Sequence, residues 1–278
     1  MSFSSLIYRG VCVLCKPFVK LNNKMESRLQ ENAKKKENVT IEKFSYANKV
    51  DPFFSKIGVI THAGGGLQGL AYLNCEQAFS VYYNNGNRVF EYDIDVDSSG
   101  KFILSHTDGN EDYLDGRFTP LSIEKCLDNI KNYADITVIF DSKFKDLTEF
   151  SKYVKEYLKE EKHLNRVVIQ VFNEENILQV KSVYDFKVLH VCMMDSNYYE
   201  VTKTCIKYNV GAVSISVKAL NEKRGQEIFA LNNICAFAYT VNTIKEARKL
   251  KEKGISGIFS DFLFDKDLVK AGLKNESD

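Results

Sequence analysis

From Lys56 onward the chain alternates short, nearly continuous apolar runs with longer segments whose apolar residues recur at helical spacing. That alternation constrains the fold more than any other feature. The runs are Ile57–Thr61, Arg88–Asp93, Ile136–Asp141, Val167–Val171, Lys187–Val191, Gly211–Ile215, Ile234–Tyr239 and Gly257–Phe259. Continuous apolar runs of this length suit parallel strands covered on both faces. The segments between them carry helix signals. Asp146-x-x-Glu149 has the form of a capping box and is followed by Phe150, Val154, Tyr157 and Leu158 on one stripe. Thr243-x-x-Glu246 repeats the form, and Gly254 stands where a glycine would stop the helix. Strands with helical crossovers, eight times over in roughly 220 residues, predict an α/β fold closed as a (β/α)8 TIM barrel rather than an open sheet. Three prolines and the lack of a long structureless linker argue for one domain over residues 56–278.

Residues 1–55 read as a basic N-terminal extension. Through Lys56 the chain holds eleven Lys or Arg against five acids, with Lys34-Lys35-Lys36 as its densest point, although the whole protein carries a net charge of only +1. Near-neutrality removes the electrostatic case for nucleic acid as a partner. The apolar run Val11–Cys15 is too short to span a bilayer, and no signal-peptide pattern surrounds it. Two readings of the extension stand: a peripheral arm contacting anionic membrane or polymer through residues 1–50, and a solvated helix or linker covering one end of the barrel. The seven cysteines are scattered through apolar stretches and are expected to be reduced, which together with the missing signal points to a cytoplasmic protein, membrane-peripheral if the arm binds lipid. Cys12-x-x-Cys15 has no second pair to complete a zinc site.

In a barrel, chemistry belongs at the C-terminal ends of the strands. His62 ends the first run and leads into Ala63-Gly64-Gly65-Gly66. Glu91 and Asp93 end the second, two residues apart and so on one side of the strand. Asp141 ends the third, with Lys143 just beyond. His106 follows a predicted hairpin with Asp97–Gly100 as its turn and Lys101–Ser105 as its return strand; Asp95 and Asp97 read as hairpin residues, not ligands. Three facing carboxylates call for a cation, and an all-oxygen set favours a hard one, Mg²⁺ or Ca²⁺. A divalent cation flanked by two imidazoles and an ammonium suits phosphodiester cleavage. The cation and Lys143 neutralise non-bridging oxygens, one histidine activates the nucleophile and the other protonates the leaving alkoxide. Attack by water and attack by a neighbouring 2-hydroxyl are equally compatible with this set.

These residues resemble the glycerophosphodiester phosphodiesterase family, a branch of the phosphatidylinositol-phospholipase-C-like barrels. The family's His-Arg-Gly is matched in part by His62-Ala63-Gly64, and its Glu-Asn-Thr before an Ala-Phe helix by Leu73-Asn74-Cys75 before Ala78-Phe79. Its Glu-x-Asp, followed by a glycine and a histidine, is met by Glu91, Asp93, Gly100 and His106, and its Glu-x-Lys by Asp141-Ser142-Lys143. Tyr239-Thr240-Val241-Asn242 and the segment from Gly254 to Asp261 resemble its C-terminal motifs, so the likeness spans residues 57–264. The resemblance implies metal-dependent hydrolysis of a small-molecule or lipid-derived phosphodiester. It makes His62 and His106 the acid–base pair and Glu91, Asp93 and Asp141 the metal ligands. Departures accompany it. Ala63 replaces a phosphate-binding arginine, Tyr239 replaces a tryptophan, and aspartate at 141 is shared with the sphingomyelinase D branch. Gly64 and Gly65, with Gly66, are candidates to offer backbone N–H groups to phosphate in the arginine's place. Phe172 and Tyr239 are candidates to pack the substrate's glycerol or to belong to the core.

Two other functions stay open at this level: a lipid head-group phosphodiesterase of the sphingomyelinase D type, and a non-catalytic barrel that binds a phosphorylated glycan or envelope polymer. Of the remaining histidines, His163 follows Glu160-Glu161-Lys162 and reads as surface, while His190 ends a strand and reads as either pocket or core.

Overall fold

Each apolar run becomes a strand. The computed structural model describes residues 43–44, 49–106, 116–142, 146–223 and 225–275. Residues 1–42, including the lysine cluster and the Cys12/Cys15 pair, and Lys143 lie outside that set. The strands are β1 (Val59–Thr61), β2 (Val89–Val96), β3 (Phe102–Leu104), β4 (Thr137–Ser142), β5 (Val167–Val171), β6 (Lys187–Cys192), β7 (Ala212–Ser216), β8 (Cys235–Tyr239) and β9 (Gly257–Ser260). The parallel order runs β1-β9-β8-β7-β6-β5-β4-β2, and pairing of β1 with β2 at Thr61 and Phe90 closes the ring. Eight parallel strands thus form a closed (β/α)8 barrel. The ninth strand, β3, is the predicted hairpin return, antiparallel to β2 with Val96 opposite Phe102. Its turn is held by Asp97, whose Oδ1 accepts from the Ser99 and Lys101 amides. Gly100 supplies the positive φ of 84° that the turn requires.

The main crossover helices are α1 (Glu76–Asn84), α2 (Ile123–Asn132), α3 (Thr148–Leu158), α4 (Glu161–Leu164), α5 (Glu174–Val183), α6 (Tyr198–Lys207), α7 (Val217–Glu222), α8 (Glu227–Leu231), α9 (Ile244–Glu252) and α10 (Asp265–Lys270). One of the two capping signals acts as expected, at Thr243, whereas ahead of α3 the N-cap is Leu147 and Asp146 stands one residue before it. Asp146 Oδ1 accepts from the Thr148 amide at 2.8 Å ahead of α3, and Thr243 Oγ1 accepts from Glu246 N at 3.2 Å ahead of α9. In α3, Phe150, Val154 and Leu158 are buried against the barrel. His163 departs from expectation: it is 7% exposed, because the single turn of α4 folds its side chain inward at the start of the Val167 strand.

Strand periodicity divides the core into two layers. Outward-facing residues such as Phe90, Tyr92, Phe140, Ile169 and Ile215 pack beneath the helices. Inward-facing Ile60, Ile139, Val168, Leu189, Ala212, Phe237 and Phe259 fill the barrel. Phe54, from the short 3₁₀ turn Phe54–Lys56, closes its N-terminal end at 1% exposure, 6.4 Å from the Phe237 ring. The five described cysteines, Cys75, Cys126, Cys192, Cys205 and Cys235, are buried. Among the described residues no helix is long and apolar enough to cross a membrane.

Candidate active site

Two residues beyond each apolar interior position, the same strand faces change character. Ile139 is followed by Asp141, Val168 by Gln170 and then Phe172, Ala212 by Ser214, and Phe237 by Tyr239. With Glu91 and Asp93 from β2 these residues line a cleft of about 840 Å³ at the C-terminal mouth of the barrel. Both histidines singled out in the sequence, all three carboxylates, Phe172 and Tyr239 line it. Asp93 and Asp141 are register partners on neighbouring strands, and Glu91 lies one pleat below Asp93. One oxygen from each of the three carboxylates falls within 4.8 Å of the others. Glu91 and Asp93 are each 2% exposed.

Burial first, and then the neighbouring Asp93 charge, push the Glu91 carboxyl up to about 8, although His62 works the other way. Glu91 Oε2 also accepts the Ala63 amide at 2.8 Å. Three carboxylates gathered out of water fit a hard divalent cation, whose charge would relieve the strain that Glu91 shows. Asp146 and Glu175 add two more acids to the lining, and among its described residues there is no lysine or arginine.

His62 is braced from behind. Its Nδ1 lies 2.7 Å from Asp261 Oδ1, with 14% of the imidazole side chain exposed. Asn242 fixes the carboxylate in turn: its Nδ2 donates to Asp261 Oδ2 at 2.8 Å, and its Oδ1 accepts the Asp261 amide at 2.9 Å. Burial works to lower the His62 pKa, but the hydrogen bond to Asp261 and the charges of Glu91, Asp261 and Asp93 outweigh it and raise the value. Asp261 is lowered: burial opposes its charge, and the hydrogen bonds from His62 and Asn242 overcome that opposition. With Nδ1–H donated to Asp261, Nε2 is the His62 nitrogen left for proton transfer. His106 is exposed. The Tyr72 ring centroid lies 5.0 Å from His62 and 4.7 Å from His106.

Gly64 and Gly65 are buried and lie outside the cleft lining. The Gly65 amide donates to the His62 carbonyl at 2.8 Å and that of Gly66 to the Asp261 carbonyl at 2.7 Å, so these two amides are engaged within the protein. The glycine run also serves packing: a Cβ on Gly65 would meet the Tyr82 ring at 2.5 Å. His190 faces away from the cleft, between Leu189 and Val191 on the helix side of β6, and burial lowers its pKa to about 4. Sequence reasoning assigned no role to Asp261, Asn242 or Tyr72. The first two did carry a signal, since they sit in the C-terminal segments that resemble the family, whereas Tyr72 had none.

No family model matches the sequence, and no curated protein matches it. Solved structures do resemble it. A protein of Silicibacter pomeroyi assigned to the glycerophosphoryl diester phosphodiesterases is 15% identical, with a TM-score of 0.62 over 81% of this chain and 97% of its own. The fold they have in common decides the architecture. This chain shares the fold of the glycerophosphodiester phosphodiesterases. A phosphodiesterase of Oleispira antarctica, solved in complex with the product sn-glycerol-3-phosphate, is 17% identical, with a TM-score of 0.58 over 76% of this chain and 95% of its own. The glycerophosphodiester phosphodiesterase of Thermotoga maritima is 15% identical, with a TM-score of 0.56 over 73% and 93%. On the glycerophosphodiester phosphodiesterase fold, the mouth that carries the carboxylates and histidines is the end where barrels place their chemistry.

Proposed function

We propose that this protein is a phosphoric diester hydrolase that cleaves a glycerophosphodiester with a bound Mg²⁺ or Ca²⁺. The observation that carries the reading is the pairing, in one cleft, of a buried carboxylate trio with a histidine braced by Asp261. An anionic substrate would be repelled by a lining this acidic, so the trio needs a cation before a phosphodiester can enter. Glu91, Asp93 and Asp141 would hold that cation, which when bound supplies positive charge to the phosphate oxygens. The product complex of the Oleispira neighbour supports a glycerol phosphate moiety as the part retained.

The chain's own groups divide the remaining work. In hydrolysis a P–O bond to the attacking oxygen forms while the P–O bond to the leaving alcohol breaks. One imidazole accepts the nucleophile's proton and the other returns a proton to the alkoxide, which without it is a very poor leaving group near neutral pH. His62 is equipped for such an exchange because Asp261 fixes its tautomer and stabilises its protonated form. His106 is the second member of the pair. Phe172, Val191, Met193 and Tyr239 offer an apolar wall to the carbons of the substrate. Ala63, 0% exposed, contributes no charge where the family has arginine, so Lys143 is the side chain proposed to meet the phosphate alongside the cation.

The test is release of sn-glycerol-3-phosphate from glycerophosphocholine-type substrates with and without EDTA. Turnover should vanish with the chelator, return with Mg²⁺ or Ca²⁺, and be lost in His62→Ala and His106→Ala. Chelator-resistant turnover that survives both substitutions rejects the reading.

A further inference from the structure

The segment linking the first strand to α1 contains a feature that the reaction as described does not use. Tyr72 has φ of +58°, a left-handed backbone that a bulky aromatic residue rarely adopts. The chain is pinned on both sides of it. Leu67 and Leu70 exchange backbone hydrogen bonds of 3.0 and 2.9 Å. Beyond the tyrosine, the Asn74 amide donates to the Ala63 carbonyl at 3.0 Å, and the Leu121 amide donates to the Asn74 carbonyl at 2.8 Å. Leu73, the next residue, is completely buried. The anchored backbone sends the Tyr72 side chain into the cleft rather than out to solvent.

There its ring meets both imidazoles. It is edge-on to His62, at 5.0 Å and 70°, and tilted against His106, at 4.7 Å and 57°. The two histidines differ in what else holds them. His62 has Asp261, whereas His106 is exposed, and among the described residues its ring contact is with Tyr72. Aromatic pairs at these separations are attractive in edge-on and offset arrangements, and a π face also tolerates a cationic neighbour. A single ring in contact with both imidazoles ties the position of one to the other and restricts the plane of the exposed one. Misplacement of a proton-transfer group by about 1 Å can cost two orders of magnitude in rate.

We propose that Tyr72 is the positioning residue of the acid–base pair, an aromatic spacer that holds His106 in register with His62 across the cleft. The proposal rests on the phosphodiesterase reading for its kinetic consequence, but its geometry can be measured without turnover.

The geometric arm uses the wild-type protein with selectively labelled Tyr and His. Nuclear Overhauser contacts from the Tyr72 ring to protons of both imidazoles are expected, and contact to one imidazole or neither overturns the proposal. The kinetic arm compares Tyr72→Leu with Tyr72→Phe. Leucine should lower kcat by about tenfold or more, with KM changed by less than about twofold, while phenylalanine keeps most of the turnover. The His62 and His106 ring resonances should both shift in Tyr72→Leu as the ring current is lost, and return toward wild type in Tyr72→Phe. Wild-type kcat in Tyr72→Leu, or a loss in KM alone, overturns the proposal. If wild type turns over no phosphodiester, the function reading fails while the wild-type magnetic contacts still decide the geometry.

Discussion

The two halves of the barrel interior are built by the same strands and differ in almost every physical respect. Toward the N-terminal end, Ile60, Ile139, Val168, Leu189, Ala212 and Phe237 close around Phe54 in a dry apolar plug. One pleat higher, Glu91, Asp141, Gln170, Ser214 and Tyr239 surround an open cleft. Close packing below gives the strands a fixed register, and that register sets Asp93 beside Asp141 above. The lower half therefore does for the carboxylates what a ligand cage needs: it spends hydrophobic burial on rigidity so that like charges can be held together. A polar cluster of this kind on mobile loops would relax apart.

That division can be broken from either side. The largest effect is expected from Asp93→Asn in the upper half, which should reduce turnover by about 10³-fold and weaken Mg²⁺ or Ca²⁺ binding measured by calorimetry, with thermal stability held or increased. A variant that keeps near-wild-type turnover would separate the trio from the chemistry. In the lower half, Phe54→Ala should cost about 3 kcal/mol in denaturant unfolding through the cavity it leaves, while kcat per folded molecule stays within about twofold. A collapse of kcat without loss of stability would show that the plug reaches the chemistry directly.

Asp261→Asn probes the seam between the halves, since it keeps the shape behind His62 and removes the charge. Turnover should fall by about 10²-fold, and the alkaline stretch of any stability contributed by protonated His62 should disappear. The sign follows from the raised His62 pKa: stabilisation of the protonated imidazole is present below its unfolded value and fades as pH rises through the folded one.

The smallest effect concerns His190, one residue from the cleft lining but on the helix side of its strand. Its folded pKa of about 4 lies below the unfolded value, so the unfolded chain binds more protons as pH falls below about 6.5. Stability should therefore drop by about 2 kcal/mol between pH 7 and pH 5, and His190→Gln should flatten that part of the curve. An unchanged slope in the variant would assign the pH dependence to other groups.

Much of this molecule was legible in its residue order because strand periodicity is local. The eight runs, the hairpin at Asp97–Gly100 and the cap at Thr243 each depend on a few neighbouring residues, and all eight runs became strands. Glu91 and Asp93 could be placed on one strand face for the same reason. The amides of Gly65 and Gly66 were not legible, because a glycine run looks the same whether its amides face a ligand or, as here, the His62 and Asp261 carbonyls. His163 was misread because one short turn, α4, decides whether it faces solvent.

Sequence alone thus determined the alternation of strand and helix, the closed barrel it implies and the identity of the groups at the strand ends, since these follow from hydrophobic period and residue type. Closure of the ring decided the rest. Only when β1 pairs with both β2 and β9 does His62 come beside both Glu91 and Asp261, the latter 199 residues away in the chain. Only the pinned backbone around Tyr72 brings one aromatic ring against two imidazoles, because a contact between side chains on separate elements is fixed by packing and carries no period along the chain.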